Sequence, residues 1–338
     1  MRVSARRNRS LRHRLAPVSS GAWESGGSEI AQITKSRART SIPLSVRDRH
    51  LRARSHGDAG ATQGGIGLTL VYAFGVRVGS LQLHEDLAPS EWVTHRIHDF
   101  ASDVGSVIPE GFERYVRLLH PAFRHEGGDD VPVSWSEIAA SNDRIVHPEM
   151  QWPHISGVWE HSGVTAPGLW DREPDVGTLP RTYATILSDF LVAHTATPDR
   201  VWFCVWEGWG GLRFHPVGRA PLTSGPQRRI RRRAQLPPPA PRVQLPARAY
   251  YLLSGPIKAV NESLEEPPSW QSANLWWPDD RQWCVATEID FAWTYVGGSE
   301  TLIQALIQHP KLEGIPTRID HAITHKADRL NPPPPGRP

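Results

Sequence analysis

Between Asn274 and Ile307 the chain reads NLWWPDDRQWCVATEIDFAWTYVGGSETLIQALI, and this stretch constrains the fold more than any other. From Trp283 to Asp290 apolar and polar residues alternate. Trp283, Val285, Thr287 and Ile289 fall on one face of an extended strand, with Cys284, Ala286, Glu288 and Asp290 on the other. After Phe291 and Trp293 comes Gly297-Gly298-Ser299, which reads as a glycine turn. Ser299 is a good N-cap for a helix whose buried stripe is Leu302, Ile303, Leu306 and Ile307. His309-Pro310 stops that helix. A strand, a turn and a helix in 34 residues commit this region to a mixed α and β core.

The other elements agree with that commitment. Val201–Trp206, VWFCVW, is apolar at every position and predicts a central strand. Leu179, Tyr183, Ile186, Leu187, Phe190 and Leu191 recur at helical spacing behind Pro180, which predicts a helix over 180–195. Trp92, Val93, Ile97, Phe100 and Val104 predict another over 91–104. Ser134 with Glu137 fits a capping box that opens a short helix, WSEIAA. Tyr115 to Leu119 and Ala249 to Ser254 read as strands, Gly127-Gly128-Asp129-Asp130 as a loop, and Pro256 to Leu264 as a short helix. The expected fold class is α+β, with an antiparallel or mixed sheet and packed helices, in one large domain with room for two lobes.

Charge divides the chain unevenly. Residues 1–57 hold 13 Lys and Arg against three Asp and Glu, so the +3 of the whole chain is +10 in this leader and −7 in the rest. Residues 1–64 lack a sustained apolar period and are expected to be a disordered basic leader. The body is expected over 65–215 and 249–330. Between them, residues 216–248 carry eight Pro and eight Arg without an acidic residue, and read as a linker or insertion. Residues 331–338 are expected to be a disordered proline-rich tail. Nucleic-acid contact, if any, is expected only through 1–64 and 216–248. No apolar run reaches the ~20 residues of a membrane-spanning helix, so no membrane partner is expected.

Candidate site residues follow from side-chain chemistry. Asp279, Asp280, Glu288 and Asp290 are carboxylates close in sequence, and could serve acid–base work, with His120 as a further base. Their spacing matches no established metal loop, so no metal ligands are assigned and the cofactor is unknown. Trp209, beside Gly208 and Gly210, and Trp276-Trp277 before Pro278 are candidate binding aromatics. Adjacent residues on a strand point to opposite sides, so the pair Trp276-Trp277 is expected to leave one ring on the surface. The two cysteines, Cys204 and Cys284, sit in apolar runs and read as buried thiols of a reducing compartment. No nucleophile elbow, zinc or kinase motif is present. These features favour a non-catalytic protein-binding module, with an acid–base or metal-assisted enzyme using Glu288 and Asp290 as the alternative.

In NLWWPDDRQWCVATEIDF and TYVGGS, in PEGFERYVRLLHP (109–121) and in Val201–Gly210, the chain resembles an uncharacterised family of proteins from high-GC Gram-positive bacteria. The resemblance spans most of 66–318. It implies a bacterial, cytoplasmic protein and carries no activity, cofactor or catalytic residue with it. In the piece Leu179-Pro180-x-x-Tyr183-x-x-x-Leu187 the chain is also similar to SUKH-type immunity proteins. That likeness implies an α+β fold and a protein partner.

Overall fold

A computed structural model describes residues 76–159, 165–216 and 239–335. The leader 1–64, most of the insertion 216–248 and the end of the tail 331–338 lie outside the described residues.

Residues rich in β-branched and aromatic side chains build most of the strands. In chain order, β1 (Val76–Val78) and β2 (Leu81–Leu83) form a hairpin, followed by α1 (Glu91–Thr94), β3 (Arg114–Leu119), β4 (Ala122–Glu126) and β5 (Asp129–Val133). Next come α2 (Trp135–Ser141), α3 (Trp152–Ser156), α4 (Arg181–Leu191), β6 (Val201–Trp206), β7 (His215–Pro216), β8 (Val243–Leu245) and β9 (Arg248–Gly255). The chain continues through β10 (Leu275–Pro278), β11 (Cys284–Ala286), β12 (Trp293–Gly298), α5 (Glu300–Ile307) and β13 (Glu313–Thr317).

Eleven strands join one sheet in the order β13-β3-β12-β11-β10-β6-β9-β2-β1-β7, with β8 also pairing β9. Every pair in it is antiparallel. The fold is α+β. Its sheet draws β3 and β6 from the first half of the body and their partners β12, β13, β9 and β10 from the second, so the halves interleave instead of forming two lobes. Pro216, residues 243–245 and Arg248, expected in the insertion, belong to this sheet; residues 217–238 are not described.

Each face of the sheet carries its own core. One contains Phe203, Val205, Trp276, Trp283, Val285 and Val296 under Leu187 of α4 and Leu302 and Leu306 of α5. The other contains Trp202, Cys204, Leu275, Trp277, Cys284 and Ala286 with Trp135 and Ile138 of α2 and Trp152 and Ile155 of α3. Alternation along β6, β10 and β11 therefore sorts side chains between two cores, not between core and water.

This arrangement overturns the surface assignment of Trp276 and Trp277, both of which are fully buried. Their rings do point to opposite sides, and both sides are covered. At 150–250 Å² per ring, burial contributes roughly 4–6 kcal/mol of transfer free energy each.

Several local expectations also change. Gly297 and Gly298 close β12 and make no turn: a Cβ at Gly297 would lie 2.5 Å from Phe112 Cδ2, and one at Gly298 2.6 Å from Leu302 Cδ2. Glycine is needed there because those side chains pack on the strand backbone. Gly127 and Gly128 take positive φ of 62° and 99° and turn the β4–β5 hairpin, whose second strand begins at Asp129. The helix expected over 91–104 stops at Thr94, and Ala101 adopts φ 57°. The helix expected at 256–264 is a five-residue 3₁₀ segment, Ile257–Asn261. The strand expected to reach Asp290 ends at Ala286, and Phe291 N–H closes a turn on the Glu288 carbonyl at 3.2 Å. Asn331, placed at the start of a disordered tail, is buried. The capping box at Ser134 and Glu137 forms, with Ser134 Oγ accepting from Glu137 N at 3.1 Å.

Among the described residues no helix is long and apolar enough to cross a membrane.

Candidate functional site

Glu288 and Asp290 come together, and what joins them is an arginine. Arg248, the first residue of β9, donates from Nε to Glu288 Oε1 at 3.0 Å and from Nη2 to Asp290 Oδ2 at 3.2 Å. Its guanidinium carbon lies 4.8 Å from the centre of the Phe100 ring and 5.9 Å from that of Trp206. The side chains of Arg248 and Glu288 are 8% and 12% exposed, whereas that of Asp290 is 64% exposed, so the cluster opens to solvent on the Asp290 side. Burial raises the Glu288 carboxyl above the usual glutamate value, with Arg248 pulling in the opposite sense. The backbone that carries the pair is held from across the fold. Gly177 N–H donates to Phe291 O at 2.9 Å, and Gly177 has φ 77° with Ile289 O only 2.3 Å from where a Cβ would stand.

His120 does not join these carboxylates. It is completely buried, with Nδ1 donating to Asp175 O at 2.7 Å and Nε2 accepting from Thr294 Oγ1 at 2.9 Å. Thr294 in turn accepts from Thr287 Oγ1 at 2.7 Å, which gives the chain of hydrogen bonds one direction. Burial lowers the imidazole to about 4, so it is neutral at pH 7.

Asp279 and Asp280 fasten the far end of β10. Asp279 accepts from Trp202 Nε1 at 2.8 Å and from Arg200 Nη1 at 2.9 Å. Asp280 Oδ2 accepts from Thr195 Oγ1 at 2.8 Å and Ala196 N at 2.7 Å. Asp280 also lines an open cleft of about 540 Å³ with His194, Gln282, Ser299 and Leu302. The four carboxylates thus separate: Glu288 and Asp290 share Arg248, Asp279 pairs with Arg200, and Asp280 is held by Thr195 and Ala196. Among the described residues no three His, Cys, Asp or Glu side chains come together in a way that could hold a metal ion.

Trp209 is half-buried on the turn that leaves β6, and its Nε1 donates to Asn274 Oδ1 at 3.1 Å. The same oxygen accepts from Trp206 N at 2.9 Å, while Asn274 Nδ2 donates to Thr287 O at 3.2 Å. The Trp206 and Trp209 rings meet edge to face at 5.4 Å. Gly208 makes this possible, since a Cβ there would stand 2.3 Å from the Trp206 ring. Trp206, Trp209, Phe100 and Asp290 therefore form one partly exposed patch around the largely buried Arg248. Nothing in the sequence marks Trp206, Phe100 or Arg248 as site residues, nor Asn274, which ties the patch to β10. Arg248 hides among the residues of an arginine-rich and proline-rich stretch, where nothing in its spacing sets it apart.

No family model, curated protein or solved structure matches the chain.

Proposed function

We propose that the protein is a non-catalytic, cytoplasmic protein-binding module of adaptor or immunity type. Its contact surface is the Trp206–Trp209 turn together with Phe100, Arg248 and Asp290. The supporting observation is that the carboxylates and the histidine considered for acid–base work are paired internally, while a tryptophan pair stands half-exposed beside the largely buried Arg248. Glu288 and Asp290 are occupied by Arg248, His120 is neutral and saturated, and burial raises both thiols, Cys204 and Cys284. Trp and Arg are the residue types that carry most binding energy in protein interfaces. Leu179 and Tyr183, which carry the immunity-protein likeness, are buried at the start of α4, away from solvent, and support only the fold part of it.

Affinity capture from the native host, followed by hydrogen exchange on the purified complex, tests the proposal. The expected result is protection of residues 206–211 and 288–291 by the partner. Protection confined to other segments would overturn the assignment of the surface. The alternative, an acid–base enzyme, draws support from the raised Glu288 carboxyl; it requires turnover that Glu288→Gln abolishes.

A further inference from the structure

Arg117 lies in the middle of β3 with 1% of its surface exposed. Its guanidinium carbon stands 3.8 Å from the centre of the Trp293 ring and 5.6 Å from that of Trp135. Nη1 donates to two backbone carbonyls, Pro148 O at 2.7 Å and Met150 O at 2.8 Å. Nε and Nη2 reach no acceptor among the described residues. Those two N–H groups form the parallel edge of the guanidinium, the edge that matches a planar group carrying two oxygens.

The charges that act on Arg117 are also committed elsewhere. Asp328 accepts from His147 Nε2 at 2.8 Å and Asn331 N at 2.9 Å, and Glu149 Oε1 accepts from Ala322 N at 2.9 Å. Neither carboxylate makes an ion pair with the guanidinium. A fully buried charge is normally paired, because its lost hydration is otherwise uncompensated. The neighbouring groups add to the imbalance in one sense only. Trp135, Trp152 and Trp170 follow one another at ring separations of 5.4 and 5.3 Å, and the indole N–H groups of Trp152 and Trp170 also meet no acceptor. Every unmatched group in this cluster is a donor.

We propose that the Nε–Nη2 edge of Arg117, beside Trp293 and Trp135, is a binding site for a small planar oxyanion, such as a carboxylate, bicarbonate or nitrate. The anion supplies both the missing negative charge and the missing acceptors. The site is independent of the Trp206–Trp209 surface.

The test uses the full chain in a buffer free of oxyanions. Sodium nitrate and sodium formate are titrated against sodium chloride at equal ionic strength while Tm is followed by calorimetry. The expected result is a saturable rise in Tm with nitrate or formate over chloride, lost in Arg117→Lys, which keeps the charge and removes the two-pronged edge. Nitrate and formate indistinguishable from chloride on the wild-type chain would overturn the proposal. If Arg117→Lys does not fold, a crystal structure of the wild-type chain grown in nitrate decides. Planar density bonded to Nε and Nη2 supports the site, while a water molecule or the Glu149 carboxylate on that edge contradicts it.

Discussion

Trp276 and Trp277 are neighbours in the chain and belong to different cores. Trp276 stacks on Phe203 with ring centres 6.1 Å apart, while Trp277 meets Trp92 edge-on at 5.7 Å on the other face of the sheet. Since both faces are covered, the two rings are equally essential. Trp276→Ala and Trp277→Ala should each lower the free energy of unfolding by about 3–5 kcal/mol in urea titrations. A cost under ~1 kcal/mol at either position would mean that its side of the sheet is open.

Arg248 and Glu288 should shape the pH dependence of stability. A carboxyl raised by burial binds more protons in the folded chain than in the unfolded one. Its contribution is full below the ordinary glutamate value and drains away as pH climbs through the raised value. Glu288→Gln should flatten this limb of the curve. Arg248→Met leaves the carboxylate without its partner, so it should steepen the limb and cost on the order of 3 kcal/mol at neutral pH. Urea midpoints across a pH series read both effects.

His120 acts in the opposite sense. Its imidazole titrates near 4 in the folded chain against 6.5 for a free histidine, so stability is full above pH 6.5 and falls as pH drops toward 4, by about 3 kcal/mol in all. In His120→Gln this slope should be absent. A wild-type midpoint that stays level between pH 6.5 and 4 would show that the ring is protonated in the folded state.

Asp328 fixes the C-terminal segment. Its side chain is fully buried, and although burial pushes the carboxyl up, hydrogen bonds from His147 and Asn331 hold it at about 2. The stability it provides is present above the usual aspartate value of 3.8 and is lost as pH falls through 2, a contribution on the order of 2 kcal/mol. Asp328→Asn should cost a similar amount at pH 7 and should release protection of the Asn331 amide in hydrogen exchange.

Where a pattern is local, the residues announce the element. The period of α4, the Ser134 cap and the unbroken apolar run of β6 are local properties, and each led to the right element. The two-faced sheet hid more. A strand covered on both sides loses the contrast between apolar and polar positions, so Trp276 beside Trp277 looked like a pair that could not both be buried. Gly297 and Gly298 looked like a turn because the residues that demand glycine there, Phe112 and Leu302, reach them through the fold. The pairing of Glu288 and Asp290 was legible as proximity, but Arg248, 40 residues earlier than Glu288, was not. The unmatched edge of Arg117 depends on Pro148, Met150 and two tryptophans from separate segments, and no local pattern encodes it.

The most direct test of the proposed binding surface is the affinity of the captured partner for the wild-type chain and for Trp209→Ala, measured by calorimetry. Trp209 is half-buried at the rim, so its removal should leave the fold intact and weaken binding at least about tenfold, or ~1.4 kcal/mol. Equal affinities of the two chains, with the variant still folded, would contradict the assignment of this surface as the place where the protein engages its partner.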